Sequence, residues 1–384
     1  MNDLQDFWSS TGFTSIDWQD GVLILIGVIF IYLAITKEWE PLELLPIGLG
    51  IVIANLPLTG MAQSPANSSG YQEAGLFGIV FHYGLAFWNI LPPIIFIGIG
   101  ALTDFTPIIA NPKTLVLGAA AQVGIFVAFW GALATGLFTV AESAAIGIIG
   151  GADGPTTIFL SAKVAPEILG ITAVIAYSYM ASVAFIQPPL MKLLTTEKER
   201  QIEMRHSREV SRVEKLLLPP IAMILIILVV PRSAPLISMF MIGNLFRESG
   251  VVPRLSDAAS NELLNVATIF LMITVGTQLV ADTVFKTDTL VILGLGLAAF
   301  SVGTASGLLF AKLMNLFLKT KINPLIGSAG VSAVPMAARI SHQVGQEANP
   351  KTYLISHAMG PNVAGVIGSA VVAGVFIALV PSAG

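Results

Sequence analysis

The sequence contains no cysteine among its 384 residues. This absence excludes disulfide bridges, thiolate metal sites and cysteine nucleophiles. Charged residues are also scarce, at 11%, and four scattered histidines do not suggest a histidine metal cluster. The first six residues lack the basic segment that begins a cleaved signal peptide, so we expect no such peptide.

Hydrophobic residues are abundant, at 55%, and apolar runs of nearly bilayer-spanning length recur along the chain. This pattern predicts an all-α, polytopic membrane protein. One segment departs from it, because residues 192–215 interleave lysine and arginine with glutamate. The positive-inside rule predicts a cytoplasmic loop there, and a solvated helix with internal ion pairs is compatible with that location.

The stretch 142–157 carries one carboxylate, Asp153, among small and apolar residues. Gly150 and Gly154 disfavour a continuous helix, and Pro155 favours a new helix start. The pattern therefore predicts a helix, a break at Asp153 and a second helix. In a soluble protein this aspartate would be an ordinary helix cap. At bilayer depth, irregular backbone needs protein or a water-filled cavity around it, and an ionisable residue indicates function.

A second region resembles this one. Shifting the chain against itself by 180 residues places Gly150 on Gly330 and Pro155 on Pro335. Paired segments interrupted by glycine and proline indicate a transport site between internal repeats, which we expect to be inverted. The alternative is a chance alignment of membrane helices rich in glycine and alanine.

The two halves of this repeat differ in charge, because Ala333 is aligned with Asp153. One carboxylate with neutral oxygen donors suits a small monovalent cation, whereas calcium usually takes several carboxylates. A charge at this depth costs on the order of ~3 kcal/mol unless it is neutralised. Sodium and a proton are therefore expected to compete for Asp153, which holds one or the other.

Three sequence blocks resemble the signature blocks of the membrane β-subunit of the sodium-pumping, biotin-dependent decarboxylases. They lie at 150–156, 323–339 and 357–365. The resemblance extends over nearly the whole chain, including 194–200 and 243–250. That family acts on oxaloacetate, methylmalonyl-CoA, glutaconyl-CoA or malonate. Family members form an elevator-like scaffold and core, so the resemblance implies this arrangement here.

The resemblance implies that the chain decarboxylates carboxybiotin, consumes a proton and exports sodium ions. No Ala-Met-Lys-Met context for biotin attachment is present, so the cofactors would be sodium and a biotin carried by a partner. The expected partners are a biotin-carrier and carboxyltransferase subunit, a small membrane subunit, membrane lipid and further copies of this chain in a homotrimer. We expect no nucleic acid, and a location in the bacterial inner membrane.

The resemblance also implies roles for individual residues. The catalytic candidates are Asp153, Tyr179 and Arg339, and Arg339 would also bind carboxybiotin. The sodium site would comprise Asp153, Asn323, Gly327, Ser332 and Asn362.

Each role has an alternative. Both asparagines are compatible with helix capping beside the prolines that flank them, and Ser332 with simple packing. The Arg339 guanidinium is compatible with a carboxylate-binding fork or with snorkelling to the interface. Tyr179 could pass a proton, or its ring could simply fill space between helices. Gly327 is compatible with a close approach between two backbones.

We predict five divisions of the chain: scaffold segments at 1–137, a first broken-helix repeat at 138–190, a charged loop at 191–215, further membrane segments at 216–317 and a second broken-helix repeat at 318–384. A sodium-coupled secondary carboxylate transporter is the main alternative function, since it would show the same paired breaks. A structural membrane anchor for a soluble complex is a third possibility.

Overall fold

The computed structural model describes residues 7–65, 74–204, 207–333 and 335–380. Within these ranges the chain forms helices joined by turns, with no strand, which confirms the all-α prediction. Five of these helices are long and apolar enough to cross a membrane, and the number rises to seven if each bent pair forms one span. The chain is therefore a multi-pass membrane protein.

Helices before the first break are α1 (Trp18–Lys37), α2 (Pro41–Ala54), α3 (Leu91–Leu102), α4 (Thr114–Ala121) and α5 (Val123–Thr135). The segment Leu76–Phe87 precedes α3 and meets it at an angle of 77°. The first broken region and the helix after it form α6 (Val140–Gly147), α7 (Gly154–Val164) and α8 (Leu169–Leu194).

The longer helices after the charged segment are α9 (Arg212–Val229), α10 (Ala234–Ser249), α11 (Leu264–Gly276) and α12 (Thr287–Phe317). The second broken region and the last helix form α13 (Leu325–Ser328), α14 (Met336–Ala348) and α15 (Ile355–Leu379). The two broken regions thus have the same order of elements. The inverted repeat and the elevator arrangement stay predictions.

Two segments are more helical than the sequence suggests. A polar loop is expected at 341–352, but α14 continues to Ala348 because Ala337, Ser341 and Val344 bury one face at helical spacing. The span at 168–190 is expected to end at Pro188 and Pro189, but α8 continues to Leu194. Proline is tolerated inside membrane helices because neighbouring groups satisfy the backbone it leaves unpaired.

The helices around the breaks approach each other through small residues. A Cβ atom on Gly327 of α13 would lie 2.6 Å from the carbonyl carbon of Gly307 in α12, so the two backbones are in direct contact. Ile47 and Ile51 of α2 belong to the same buried apolar cluster as Tyr177 of α8. Membrane helices commonly use small residues for such close approach. This packing holds α2 and α12 beside the broken regions.

Candidate functional site

The first break contains Asp153. After α6, one tight turn at Ile148–Gly151 leads to Ala152, whose φ of 53° lies in the left-handed region. Asp153 then caps α7, and its Oδ1 accepts a hydrogen bond of 3.1 Å from the backbone N–H of Thr156. The predicted sequence of helix, break and helix is confirmed. A non-glycine residue in the left-handed conformation is strained, and such strain is common at functional sites.

The second break contacts the first directly. The backbone N–H of Ser332 donates to the carbonyl oxygen of Gly151 at 2.9 Å, and the Ser332 hydroxyl donates to Asp153 Oδ2 at 3.2 Å. Ser369, from α15, donates its hydroxyl to the same Oδ2 at 2.9 Å. Asp153 is only 5% exposed. Three parts of the chain therefore converge on one buried carboxylate.

Ser369 is absent from the candidates that the sequence indicates. In the sequence Ser369 is a single hydroxyl within an apolar helix. A serine hydroxyl in such a helix often donates to a carbonyl oxygen of the same helix, and Ser369 also donates to that of Val366. Only the packing of α15 against the first break reveals that it reaches Asp153.

Among the buried amides near these breaks, Asn362 and Gln122 each have an oxygen without a hydrogen-bond partner in the described residues. Asn362 donates to the carbonyl oxygens of Ala329 and Val331, at 3.0 and 2.9 Å, and its Oδ1 accepts no hydrogen bond from a described residue. Gln122 donates to the carbonyl oxygen of Gly118, and its Oε1 is likewise unpaired. Because the amide donors are engaged, these oxygens remain as acceptors for a cation or for water.

Asn323 and Gly327 lie in the second region but make other contacts. The Asn323 amide donates to the carbonyl oxygens of Arg200 and Ile202 at 2.8 and 2.9 Å, and its oxygen accepts from the N–H of Leu325. These bonds attach the charged segment to α13. Gly327 contacts Gly307, as described above.

The two tyrosines of α8 point in different directions. The Tyr179 hydroxyl donates to the carbonyl oxygen of Leu293 in α12. The Tyr177 ring packs against Gly154, and a Cβ atom there would lie 2.6 Å from the Tyr177 hydroxyl oxygen. Residues two positions apart on a helix are separated by about 200° around its axis. Tyr177 is thus the tyrosine beside Asp153, although the sequence favours Tyr179.

Arg339 lies on the exposed face of α14. Its charge acts on Glu40, at the start of α2. The guanidinium is therefore accessible to a ligand from outside the helices while an acidic group lies within electrostatic range.

A second carboxylate, Glu43 of α2, lies near the breaks. Its Oε2 is buried and has no hydrogen-bond partner among the described residues, and Glu40 and Asp153 lie within electrostatic range. The paired breaks themselves contain one carboxylate in the sequence, and Glu43 comes from outside both. Glu43 lies in the first turn of α2, three residues after Glu40, where an acidic side chain also complements the positive end of the helix dipole.

No cationic side chain neutralises these carboxylates in the part of the chain that the structure describes. The ion pairs there are Lys192–Glu347, Arg208–Glu214, Arg247–Glu248 and Lys312–Glu199. In these ranges the Asp153 carboxylate is contacted by hydrogen bonds from Thr156, Ser332 and Ser369.

The match to a protein family decides the class of this protein. The family model described as the Na⁺-transporting oxaloacetate decarboxylase beta subunit matches residues 19–380. The chain belongs to this family. It is the membrane β-subunit of a sodium-pumping decarboxylase, as the sequence blocks predict, and the secondary-transporter alternative is not favoured.

Relatives with different acyl substrates resemble the chain about equally. It is 55% identical to the methylmalonyl-CoA decarboxylase subunit beta of Propionigenium modestum, over 97% of this chain and 98% of that one. It is 53% identical to the glutaconyl-CoA decarboxylase subunit beta of Acidaminococcus fermentans, over 96% of each. It is 50% identical to the probable oxaloacetate decarboxylase beta chain of Vibrio cholerae, over 95% and 96%.

Proposed function

We propose that this β-subunit decarboxylates carboxybiotin and exports sodium through the paired breaks. In the reaction the N–C bond of the carboxylated ureido nitrogen breaks, CO₂ leaves, and the nitrogen takes up one proton. The observation that carries this proposal is Asp153, a buried carboxylate bound by Ser332 and Ser369 and paired with no described cation. A charge at bilayer depth costs on the order of ~3 kcal/mol, and a bound sodium ion or proton offsets this cost.

We assign the sodium ion to Asp153 together with the oxygen atoms of Ser332 and Asn362. A serine hydroxyl that donates to the carboxylate keeps its own lone pairs for the cation. The unpaired Oδ1 of Asn362 supplies a neutral ligand. Asn323 and Gly327 support the site by holding the second broken region against its neighbours.

We assign Arg339 to the carboxylate of carboxybiotin, because an exposed guanidinium can bind it with two parallel hydrogen bonds. Tyr179 is proposed as a proton donor on the opposite side of α8.

The biotin is carried by a separate carrier and carboxyltransferase subunit that reaches the charged segment from the cytoplasm. The complex would lie in the inner membrane, with a small membrane subunit and a homotrimer of this chain.

Asn362→Ala is expected to reduce stabilisation by sodium. Ligand stabilisation grows with the logarithm of ligand concentration over the dissociation constant, so a tenfold loss of affinity removes about 1.4 kcal/mol at saturating sodium. The measurement is thermal unfolding of the purified complex in sodium chloride and in choline chloride of equal ionic strength.

Asn244→Ala is the matched control. Asn244 is equally buried, donates to the carbonyl oxygens of Gly100 and Thr103, and also has an unpaired Oδ1. It lies on α10 and makes no hydrogen bond to either break. Its variant should unfold at a lower temperature but keep the full sodium shift. Equal sodium shifts in both variants would remove Asn362 from the site.

Arg339→Lys is expected to raise the KM for the carboxylated carrier by about tenfold, since lysine cannot form the bidentate pair. Stabilisation by sodium should not change. The measurement is the initial rate of CO₂ release against carrier concentration. Arg254→Lys, at another exposed arginine, is the control and should leave the KM unaltered. An unchanged KM for Arg339→Lys would support the snorkelling alternative.

A further inference from the structure

A cavity lies outside the paired breaks, where the charged segment meets the ends of two long helices. Its volume is about 260 Å³, and it is bounded by the start of α4, the turn after α12 and the first turn of α15. Pockets for drug-sized ligands range from roughly 300 to 1,000 Å³, so this cavity can hold one small polar group. The cationic side chains that line it are Lys113, Arg208 and Lys321.

Hydrogen bonds hold the walls of this cavity in place. Arg208 Nη2 donates to the carbonyl oxygen of Ile109 at 3.1 Å, which attaches the charged segment to the loop before α4. On the opposite wall, the Asn315 amide donates to the carbonyl oxygen of Ile322, and its oxygen accepts from the backbone N–H of Ile322, both at 2.8 Å. The turn that carries Lys321 is therefore fixed against α12.

The cavity carries an excess of positive charge. Arg208 is neutralised by Glu214, which it contacts at 2.6 Å. Lys113 and Lys321 form no ion pair with a described residue, and no acidic residue among those described lines the cavity. Two like charges at one small cavity repel each other, and a bound anion offsets this repulsion. Lysine commonly binds phosphate groups as a point charge.

The position of the cavity favours a lipid as the source of that anion. Helix α12 and the span formed by α4 with α5 are both long and apolar enough to cross a membrane, and the cavity lies at their ends. The last residues of α12, Leu316 and Phe317, are 77% and 83% exposed directly before this cavity. Basic pockets between membrane helices bind the headgroups of anionic lipids, while exposed apolar side chains nearby contact the acyl chains.

We propose that Lys113 and Lys321 bind the phosphate group of an anionic phospholipid in this cavity, with the acyl chains along the exposed end of α12. The hydroxyl groups of Ser207 and Thr320 line the same cavity and can donate to the phosphate oxygens. Arg339, which we assign to carboxybiotin, is not among the described residues that line it. The lipid site is therefore separate from the proposed reaction.

A lipid bound there would connect three parts of the chain. Its phosphate group would contact the residue before α4, the turn after α12 and the charged segment at the same time. Because a ligand that binds the folded state stabilises it, the anionic lipid should raise the unfolding temperature of the protein.

The test is thermal unfolding of the purified decarboxylase complex in mixed micelles of detergent and phosphatidylcholine, titrated with phosphatidylglycerol. The unfolding temperature should rise with phosphatidylglycerol and not with additional phosphatidylcholine. Each basic residue near a membrane surface strengthens the attraction to anionic lipid about fivefold. Lys113→Gln and Lys321→Gln should therefore each weaken phosphatidylglycerol binding about fivefold, and the double variant about 25-fold. Arginine at either position should restore binding, because it keeps the charge.

Lys286→Gln is the matched control. Lys286 is an exposed lysine directly before α12, at the end opposite to the cavity, and it is not among the lining residues. This variant should bind phosphatidylglycerol as wild type does. Without phosphatidylglycerol, all the variants should unfold at the wild-type temperature, since the substituted lysines are exposed.

Three results would overturn the proposal. Unchanged phosphatidylglycerol affinity in the double variant would exclude the cavity as the binding site. Equal stabilisation by inorganic phosphate at the same concentration would show that the cavity holds a soluble anion and not a lipid. A higher KM for the carboxylated carrier in the double variant, with unchanged lipid affinity, would assign the cavity to the carrier subunit.

Discussion

Asp153→Asn is expected to abolish sodium-stimulated decarboxylation of carboxybiotin. Asparagine keeps the size of aspartate and accepts the hydrogen bonds from Ser332 and Ser369, but it carries no charge for the cation. Loss of a buried countercharge worth on the order of ~3 kcal/mol corresponds to about a hundredfold lower sodium affinity. The measurement is CO₂ release by the reconstituted complex at increasing sodium concentration.

Two controls make this result specific. Glu167→Gln removes one unit of negative charge at an exposed position shortly after α7, and it should retain sodium stimulation. The Asp153→Asn protein should unfold no more easily than wild type in sodium-free buffer, because it has lost a buried charge. Full sodium-stimulated turnover in a folded Asp153→Asn complex would exclude Asp153 from the mechanism.

Gly327→Ala is expected to disrupt the second broken region. The added Cβ atom would lie 2.6 Å from the carbonyl carbon of Gly307, so backbone rather than a flexible side chain must move. Overpacking of this kind costs about 1–3 kcal/mol. Separation of α12 from α13 would also displace Ser332 from Asp153. We therefore expect a lower unfolding temperature together with loss of sodium-dependent turnover.

Gly294→Ala is the matched control for Gly327→Ala. Gly294 lies in α12, the same helix as Gly307, but a Cβ atom there has no atom within 4 Å. Alanine is favoured over glycine inside a helix by roughly 0.5–1 kcal/mol, so this variant should be as stable as wild type or more stable. Equal effects of the two substitutions would show that the contact between Gly327 and Gly307 is not required.

Several features follow from local sequence alone. The break at Asp153 is predictable because glycine and proline restrict the backbone wherever they occur, and the structure has one tight turn and a capped helix there. The helical extension to Ala348 is harder to predict. Its polar residues resemble a loop until the buried face formed by Ala337, Ser341 and Val344 is known.

The class of this protein, its helical membrane fold and the central carboxylate can be predicted from the sequence, because composition, glycine and proline act locally. Which distant groups meet that carboxylate depends on the packing of the helices. Ser369 and Glu43 are separated from Asp153 by long stretches of chain, and only helix packing brings them near it. Packing also decided that the Tyr177 ring lies against Gly154, whereas the Tyr179 hydroxyl donates to the carbonyl oxygen of Leu293.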